Sequence, residues 1–234
     1  MTPHDILTHP LMAMFVTLGS YVLAEVVQKK ANGHPLLNPV VIAIAVVVTY
    51  VTLLGIPYET YLQHVEVIHY LLGPATVALA IPLYAQLPLI RKSFAAIMVA
   101  VGVSCITAAG SAYWLALESG APEAMRLAII SKSTTTAIAI GIANKINADP
   151  SLAIFFVFMT GIVGSLFGVM LLKICRIRDQ RAIGLSMGVV CHGLGTARAL
   201  QEGEQAGAFA ALGMSLMGIV SGIALPLLVW ALSN

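Results

Sequence analysis

Two polar clusters inside apolar sequence contain the residues whose types and spacing are suited to chemistry. The first cluster lies in the segment 127–143 and consists of Lys132, Ser133, Thr134, Thr135 and Thr136. The second lies in the segment 182–200 and reads HGLGTAR, with His192, Gly193, Gly195, Thr196 and Arg198 as its candidate binding residues. Hydroxyl groups, backbone N–H groups and cations are the groups that bind a carboxylate, so both clusters predict an anion site.

The hydroxyl run of the first cluster predicts a break in a helix. Consecutive Ser and Thr side chains compete with helical hydrogen bonds and can satisfy the backbone groups that a break frees. Lys132 is costly inside a bilayer unless it meets an anion or water, which favours contact with a substrate or its pathway. The alternative is a lysine that extends to the membrane surface beside threonines that pack against neighbouring helices.

The second cluster predicts a second break. Gly193 and Gly195 permit unusual backbone conformations and close approach of a ligand. Thr196 is predicted to cap a second half-helix, whose free N–H groups and positive dipole end suit a carboxylate. Arg198 would add a bidentate contact, and His192 would donate to substrate or take up a coupled proton. The alternative is a glycine-mediated helix contact with Arg198 directed to the interface.

The elements that must position these clusters are membrane helices. Of the 234 residues, 59% are apolar and 9% are charged, and the mean hydropathy is +0.94. Soluble domains contain about a quarter charged residues, so the composition predicts an all-α polytopic membrane protein. The net charge of +2 does not favour nucleic acid, and the motifs of common enzymes and metal sites do not occur. We therefore expect no enzyme activity, no cofactor and no metal.

Six stretches are long and apolar enough to span a bilayer, at about 20 residues each. They are residues 8–27, 36–56, 67–90, 93–117, 150–172 and 206–232. Pro74 and Pro82 predict a kinked or broken third span. Asn38 precedes Pro39 at the start of the second span, which is typical of a helix N-cap, although Asn38 is also a candidate ligand contact.

Basic loops predict the topology, because lysine and arginine accumulate in the cytoplasm. All three basic clusters (29–30, 91–92 and 173–181) are cytoplasmic if both broken segments return to the side from which they start. The chain then has about six spans plus two broken re-entrant helical hairpins in an inverted repeat. Its predicted parts are residues 1–121, a first repeat unit 122–172 and a second unit 180–232.

Residue matches between the two repeat units are few. Thr136-Ala137 matches Thr196-Ala197 at an offset of 60, and Gly-Ile-Val at 161–163 matches 218–220 at an offset of 57. Chance similarity among small apolar residues is the alternative explanation.

Several strings resemble the CidB/LrgB family of membrane proteins. They are PLLNPV (35–40), LLGPATVALAIPLY (71–84), SKSTTTAIA (131–139), GIVGSLFG (161–168) and GLSMGVVCHGLGTARA (184–199). The resemblance implies an antiholin-like protein tied to murein hydrolases and cell lysis, with a small partner membrane protein of the CidA/LrgA type. Relatives are also linked to pyruvate uptake, and one half of a plant plastid glycolate/glycerate translocator is similar. The resemblance implies both functions without choosing between them.

The leading prediction is a transporter or facilitator of small monocarboxylates such as pyruvate, glycolate or glycerate. The alternative is an antiholin-like regulator without transport, and a membrane enzyme is a distant third. We expect a multi-pass protein of the bacterial inner membrane that contacts lipid and forms a homo-oligomer, because a small carrier needs a fixed support for its moving core.

Cysteine-accessibility labelling tests the predicted topology. We expect residues 29–30, 91–92 and 173–181 to react from the cytoplasm and both termini from outside, because of the asymmetry of basic residues. Labelling of the C-terminus from the cytoplasm would show that one broken segment crosses completely and would exclude the inverted repeat.

Overall fold

The computed structural model describes residues 7–31 and 37–233. The chain is 85% helical, with no strand among the described residues. It divides into two compact units, of which the first ends at Ala78 and the second begins at Leu79. The first unit contains α1 (Pro10–Lys30), α2 (Pro39–Leu53), α3 (Tyr58–His64) and α4 (Glu66–Ala78). The second contains α5 (Ala80–Ala85), α6 (Leu87–Lys92), α7 (Phe94–Glu118), α8 (Glu123–Ile129), α9 (Thr136–Lys145), α10 (Pro150–Ile174), α11 (Gln180–Glu202) and α12 (Glu204–Ser233).

Within residues 7–31 and 37–233, five helical stretches are long and apolar enough to cross a membrane. They are Pro10–Lys30, Glu66–Ala85, Phe94–Glu118, Pro150–Ile174 and Glu204–Ala231. Their surfaces are apolar, and residues more than 60% exposed include Leu11, Phe15, Val99, Ile106, Ile219 and Ile223. These features confirm an all-α polytopic membrane protein. The predicted second span is shorter than expected, since α2 has 15 residues where a crossing needs about 20.

The predicted third span is interrupted, as its prolines indicate. Helical structure stops at Leu79, three residues before Pro82, and again at Gln86, two residues before Pro88. A proline lacks the N–H that would bond to the preceding turn, and its ring clashes there. Pro74 lies inside α4 without ending it. At the second interruption, Gln205 Nε2 donates to Gln86 Oε1 at 3.2 Å.

Polar N-caps begin several of the helices. The Asn38 side chain accepts from the N–H groups of Val40 and Val41, and Asp149 does the same at the start of α10. Asp179 accepts from the Arg181 N–H at the start of α11. Side-chain hydrogen bonds from Arg181 lower the pKa of Asp179 to about 2. The stabilisation from this ionised cap is therefore present above the ordinary carboxyl pKa and is lost only as the pH falls through about 2.

Helix α11 is a hairpin and not a straight rod. The backbone at His192 is non-helical, with φ 41° and ψ −125°, and divides the helix into residues 180–191 and 193–202. Both ends lie together: a Cβ placed on Gly203 would lie 3.5 Å from Gln180 Oε1, and Glu202 binds Lys173 just before the hairpin. A straight helix of this length would separate its ends by about 34 Å. We call residues 180–202 the second hairpin.

Glycine allows the second hairpin to pack closely between two long helices. On one side, Cβ atoms on Gly184 and Gly188 would overlap the carbonyl oxygens of Ala206 and Ala210 in α12. On the other side, a Cβ on Gly168 of α10 would lie 2.7 Å from Met187 Sδ. The glycine-rich face of α10 therefore makes an internal helix contact.

The first broken segment lies beside the opposite end of α10. It consists of α8, the loop 130–135 and α9. Phe156, in the second turn of α10, lines a cleft together with Ser119 and Ala121, which precede α8. Lys173, at the other end of α10, contacts the base of the second hairpin. The two broken segments thus begin near opposite ends of one spanning helix.

Replacing Gly188 by Val tests the close packing of the second hairpin. Added atoms would overlap backbone atoms of Ala210, which cannot move aside as a side chain can, so we expect a loss of at least about 1–3 kcal/mol. The thermal unfolding midpoint of the purified protein in detergent measures this loss. The matched control is Gly110→Ala in α7, whose Cβ meets no atom within 4 Å and which should be neutral or stabilising. Equal midpoints for the two variants would contradict this packing.

Candidate functional site

The two breaks meet in the second unit. His192 Nε2 lies 3.4 Å from the backbone oxygen of Lys132. Gly161, near the middle of α10, lies beside both turns of the second hairpin, since its Cβ would be 3.2 Å from His192 Cε1 and 2.8 Å from Leu194 Cδ1. The two breaks are therefore in contact in the structure, through the His192 side chain and the Lys132 backbone.

The hydroxyl run closes the end of α8, as the sequence predicts. Ser131 Oγ donates to the Ala128 carbonyl at 3.0 Å, and Thr134 Oγ1 donates to the Ser131 carbonyl at 2.9 Å. Ser131, Ser133 and Thr134 are buried. Within the described part of the chain, the hydroxyls of Thr135 and Thr136 make no hydrogen bond, and Thr136 is exposed. These two hydroxyls are therefore free for a ligand.

Helix α9 begins at the break without a side-chain cap. Thr135 occupies the N-cap position, but its side chain accepts no hydrogen bond from the helix. The first backbone bond into α9 runs from the Ala139 N–H to the Thr135 carbonyl. The N–H groups of Thr136, Ala137 and Ile138 consequently have no backbone partner among the described residues. A helix start with free N–H groups is a site for a negative charge.

Lys132 lies in the first break, and its ammonium forms no ion pair with a carboxylate of the described residues. The ammonium donates to Ser133 Oγ at 3.2 Å. Lys132 also lines a cleft of about 540 Å³ with residues of α7, α8 and α10, among them Ser111, Met125 and Phe156. A half-buried ammonium in apolar surroundings is stabilised by an anion, and this cleft provides access for one.

Arg126 in α8 is a further cation on the first broken segment and was not among the predicted site residues. Its Nε is buried and has no hydrogen-bond partner among the described residues. Its position about two turns before the hydroxyl run was the available signal.

The second break differs from the prediction in three respects. His192 adopts the positive φ, whereas Gly193 and Gly195 do not. Gly195 is required for packing instead, because its Cβ would overlap the Met187 carbonyl. Thr196 is not an N-cap, since its hydroxyl donates to the His192 carbonyl at 2.9 Å inside the half-helix. The second half-helix therefore starts directly after His192, and its free N–H groups lie there and not near Gly195 and Thr196 as expected.

Arg198 is directed away from the breaks. Its Nη2 pairs with Glu202 Oε1 at 2.7 Å, and Glu202 Oε2 also binds Lys173 Nζ at 2.8 Å. Glu202 was not among the predicted site residues, although its spacing of four residues from Arg198 on a helix indicated the pair. Contact between Arg198 and a substrate stays a prediction. The charge of Arg198 is already compensated by the Glu202 carboxylate.

Asn38 lies in the first unit, and its side-chain oxygen caps α2. This confirms the role in starting the helix that the Asn-Pro pair predicted, and it leaves ligand contact by Asn38 as a prediction. Among the described residues, no group of three or more His, Cys, Asp or Glu side chains could hold a metal ion.

The two Gly-Ile-Val strings make reciprocal contacts. Gly161, in the helix after the first break, packs on Leu194 at the start of the second half-helix. Gly218, in the helix after the second break, packs on Ile138 at the start of α9, with its Cβ 2.5 Å from Cδ1. The half-helices start at Thr136 and Gly193, an offset of 57 that equals the offset of the glycines. The Thr-Ala match at 60 is out of this register.

These features define a polytopic α-helical membrane protein whose polar site lies at two interrupted helices. The chain belongs to the LrgB-like family, whose model matches residues 17–231.

Relatives of known sequence align with nearly the whole chain. The uncharacterized protein YxaC of Bacillus subtilis is 34% identical over 94% of this chain and 95% of its own length. An uncharacterized protein of Haemophilus influenzae is 32% identical over 91% of both chains. The holin-like protein CidB of Staphylococcus aureus is 28% identical over 94% of this chain and 95% of its own. No solved structure matches the chain.

Substitution of His192 tests whether its backbone conformation is strained. A non-glycine residue at this φ and ψ costs about 1–3 kcal/mol. We therefore expect His192→Gly to retain or raise the thermal unfolding midpoint in detergent, and His192→Val to lower it. Ala197→Gly, at an ordinary helical position, should lower the midpoint by the usual helix cost of about 1 kcal/mol. If His192→Gly destabilises as much as Ala197→Gly, the strain is absent.

Proposed function

We propose that this protein is a transporter or facilitator of small monocarboxylates such as pyruvate, glycolate or glycerate. It acts as a carrier and not as an enzyme. The carboxylate binds where the two broken segments meet, with Lys132 as its principal positive charge and the hydroxyls of Thr135 and Thr136 beside it.

The unpaired ammonium of Lys132 carries the proposal. It lies at the contact between the breaks, beside a helix start whose first three N–H groups have no backbone partner among the described residues. A resident carboxylate would neutralise the lysine permanently, and none lies within ion-pair distance in the described part of the chain. An exchangeable anion from solution meets the same electrostatic need. Arg126, whose Nε is buried without a hydrogen-bond partner among the described residues, is a second cation on the same broken segment.

The alternating exposure that transport requires follows from an inverted repeat. Support for that repeat comes from three observations. The two broken segments begin near opposite ends of α10. Gly161 and Gly218 each pack on the half-helix of the other unit. The two glycines are 57 residues apart, and so are the starts of the two half-helices. Two units related by an axis in the membrane plane can exchange conformations and so open the site to either side.

We further propose assembly as a homo-oligomer and with a small membrane protein of the CidA/LrgA type, in a bacterial inner membrane. The similarity to holin-like CidB proteins supports this partner. The same similarity favours a second candidate function, in which the protein is an antiholin-like regulator of murein hydrolases and transports nothing itself.

Uptake by proteoliposomes separates the two functions. The protein, with and without the small partner, is tested with radiolabelled pyruvate, glycolate and glycerate. A charge-assisted hydrogen bond contributes about 1.5–3 kcal/mol, so we expect Lys132→Gln to weaken the apparent affinity by about ten- to a hundredfold.

The matched control is Lys145→Gln, which removes an exposed lysine at the far end of α9 and should leave affinity within about twofold. Absence of uptake under both conditions would favour the regulator. Equal affinities for Lys132→Gln and the unaltered protein would exclude Lys132 as the anion's partner.

A further inference from the structure

A cluster of charges at the base of the second hairpin has no role in substrate binding as proposed above. Each oxygen of the Glu202 carboxylate binds one cation: Oε2 pairs with Lys173 at 2.8 Å and Oε1 with Arg198 at 2.7 Å. The side chains of Glu202 and Arg198 are only 13% and 12% exposed, whereas Lys173 is 56% exposed. Such a largely buried carboxylate is stabilised by both cations.

Only one of these ion pairs joins two separate elements. Arg198 and Glu202 both belong to the second hairpin, whereas Lys173 belongs to α10. The contact surface between α10 and the hairpin, here called the seam, includes glycines of α10 against Met187, Cys191 and Leu194, and Val169 of α10 in a buried apolar cluster with the hairpin. Apolar contacts of this kind are non-directional, so the Lys173–Glu202 pair is the directional contact at the base of the seam.

The cleft that reaches Lys132 opens near the beginning of α10, beside Phe156. Lys173 lies at the opposite end, in the last turn of a helix of 25 residues, or about 37 Å. Between the breaks and that end, α10 and the second hairpin are in contact at Gly164, Gly168 and Lys173.

We propose that the Lys173–Glu202 ion pair is the latch of a gate that closes the site at the end of the bundle carrying Lys173. The proposal rests on the carrier function above. The second hairpin moves together with α12, to which its backbone is packed at Gly184 and Gly188. The hinge is the connection from α10 to the hairpin, where Arg176 has a φ of 61°.

Native cysteines report on the opening of the seam. Cys191 is buried in it, since a Cβ on Gly164 of α10 would overlap Cys191 Sγ. Cys105 is buried in α7, outside the seam, and Cys175 is exposed. The detergent-solubilised protein is labelled with a polar maleimide, and the labelling of each cysteine is quantified by mass spectrometry. Cys105 is then the internal control for general unfolding, and Cys175 is the control for reagent activity.

Lys173→Gln removes the latch and leaves the Arg198–Glu202 pair within the hairpin. We expect it to speed labelling of Cys191 by about two- to tenfold, with Cys105 unchanged. Arg181→Gln removes another basic residue near the hairpin base, one that pairs with Asp179 and does not bridge the seam, so it should change neither rate. An unchanged rate at Cys191 in Lys173→Gln, or a parallel rise at Cys105, would overturn the proposal.

A second experiment cross-links the two sides of the seam and measures the effect on transport. In a Cys175→Ser background, Lys173→Cys and Glu202→Cys are joined by a short, reducible bifunctional thiol reagent. We expect the cross-linked protein to bind carboxylate with an affinity within about threefold of that of the unlinked protein, and its transport flux to fall at least tenfold. The flux should recover when the cross-linker is cleaved by a reducing agent. An undiminished flux would contradict the gate. If the unlinked protein moves no carboxylate, the carrier function fails, while the labelling rates of Cys191 still decide whether Lys173 holds the seam.

Discussion

Close approach of helix backbones is the constraint on which the rest of the second unit depends. A membrane offers no water to interrupted backbone, so both breaks must be enclosed by protein. The second hairpin is enclosed because Gly184 and Gly188 allow the backbone of α12 to touch it. Gly161 brings α10 against His192 and Leu194, where the breaks meet. Larger side chains at these positions would separate α10 and α12 from the second hairpin. Lys132 would then no longer lie where the two breaks meet.

The charges of the second unit are handled in two contrasting ways. Glu202 is held between Lys173 and Arg198, an arrangement that fixes the hairpin base. Lys132 has a hydroxyl neighbour and an open cleft but no carboxylate among the described residues. A compensated cluster stabilises one conformation, whereas an uncompensated cation stabilises a complex with an anion. The distribution of charge therefore separates structural from ligand-binding roles more clearly than residue type does.

Much of this architecture is predictable from local patterns. Consecutive hydroxyls, prolines and an Asn-Pro pair act on their own backbone, and the break after α8, the interrupted third span and the cap of α2 were all expected from them. The features that were missed depend on partners distant in sequence. His192 takes the turn although Gly193 follows it, and Gly195 serves a close contact with the Met187 carbonyl instead. Glu202 gained its role from Lys173, 29 residues earlier, which no periodicity connects to it.

The hairpin's shape also governs how the chain is made. Residues 180–202 turn back after about half a bilayer and contain Arg181, His192 and Arg198, so lipid alone does not accept them as a span. Their enclosure requires α12, the 30 residues that follow. During synthesis the hairpin must therefore stay outside the hydrocarbon until α12 has emerged, and nearly the last quarter of the protein enters the membrane as one unit.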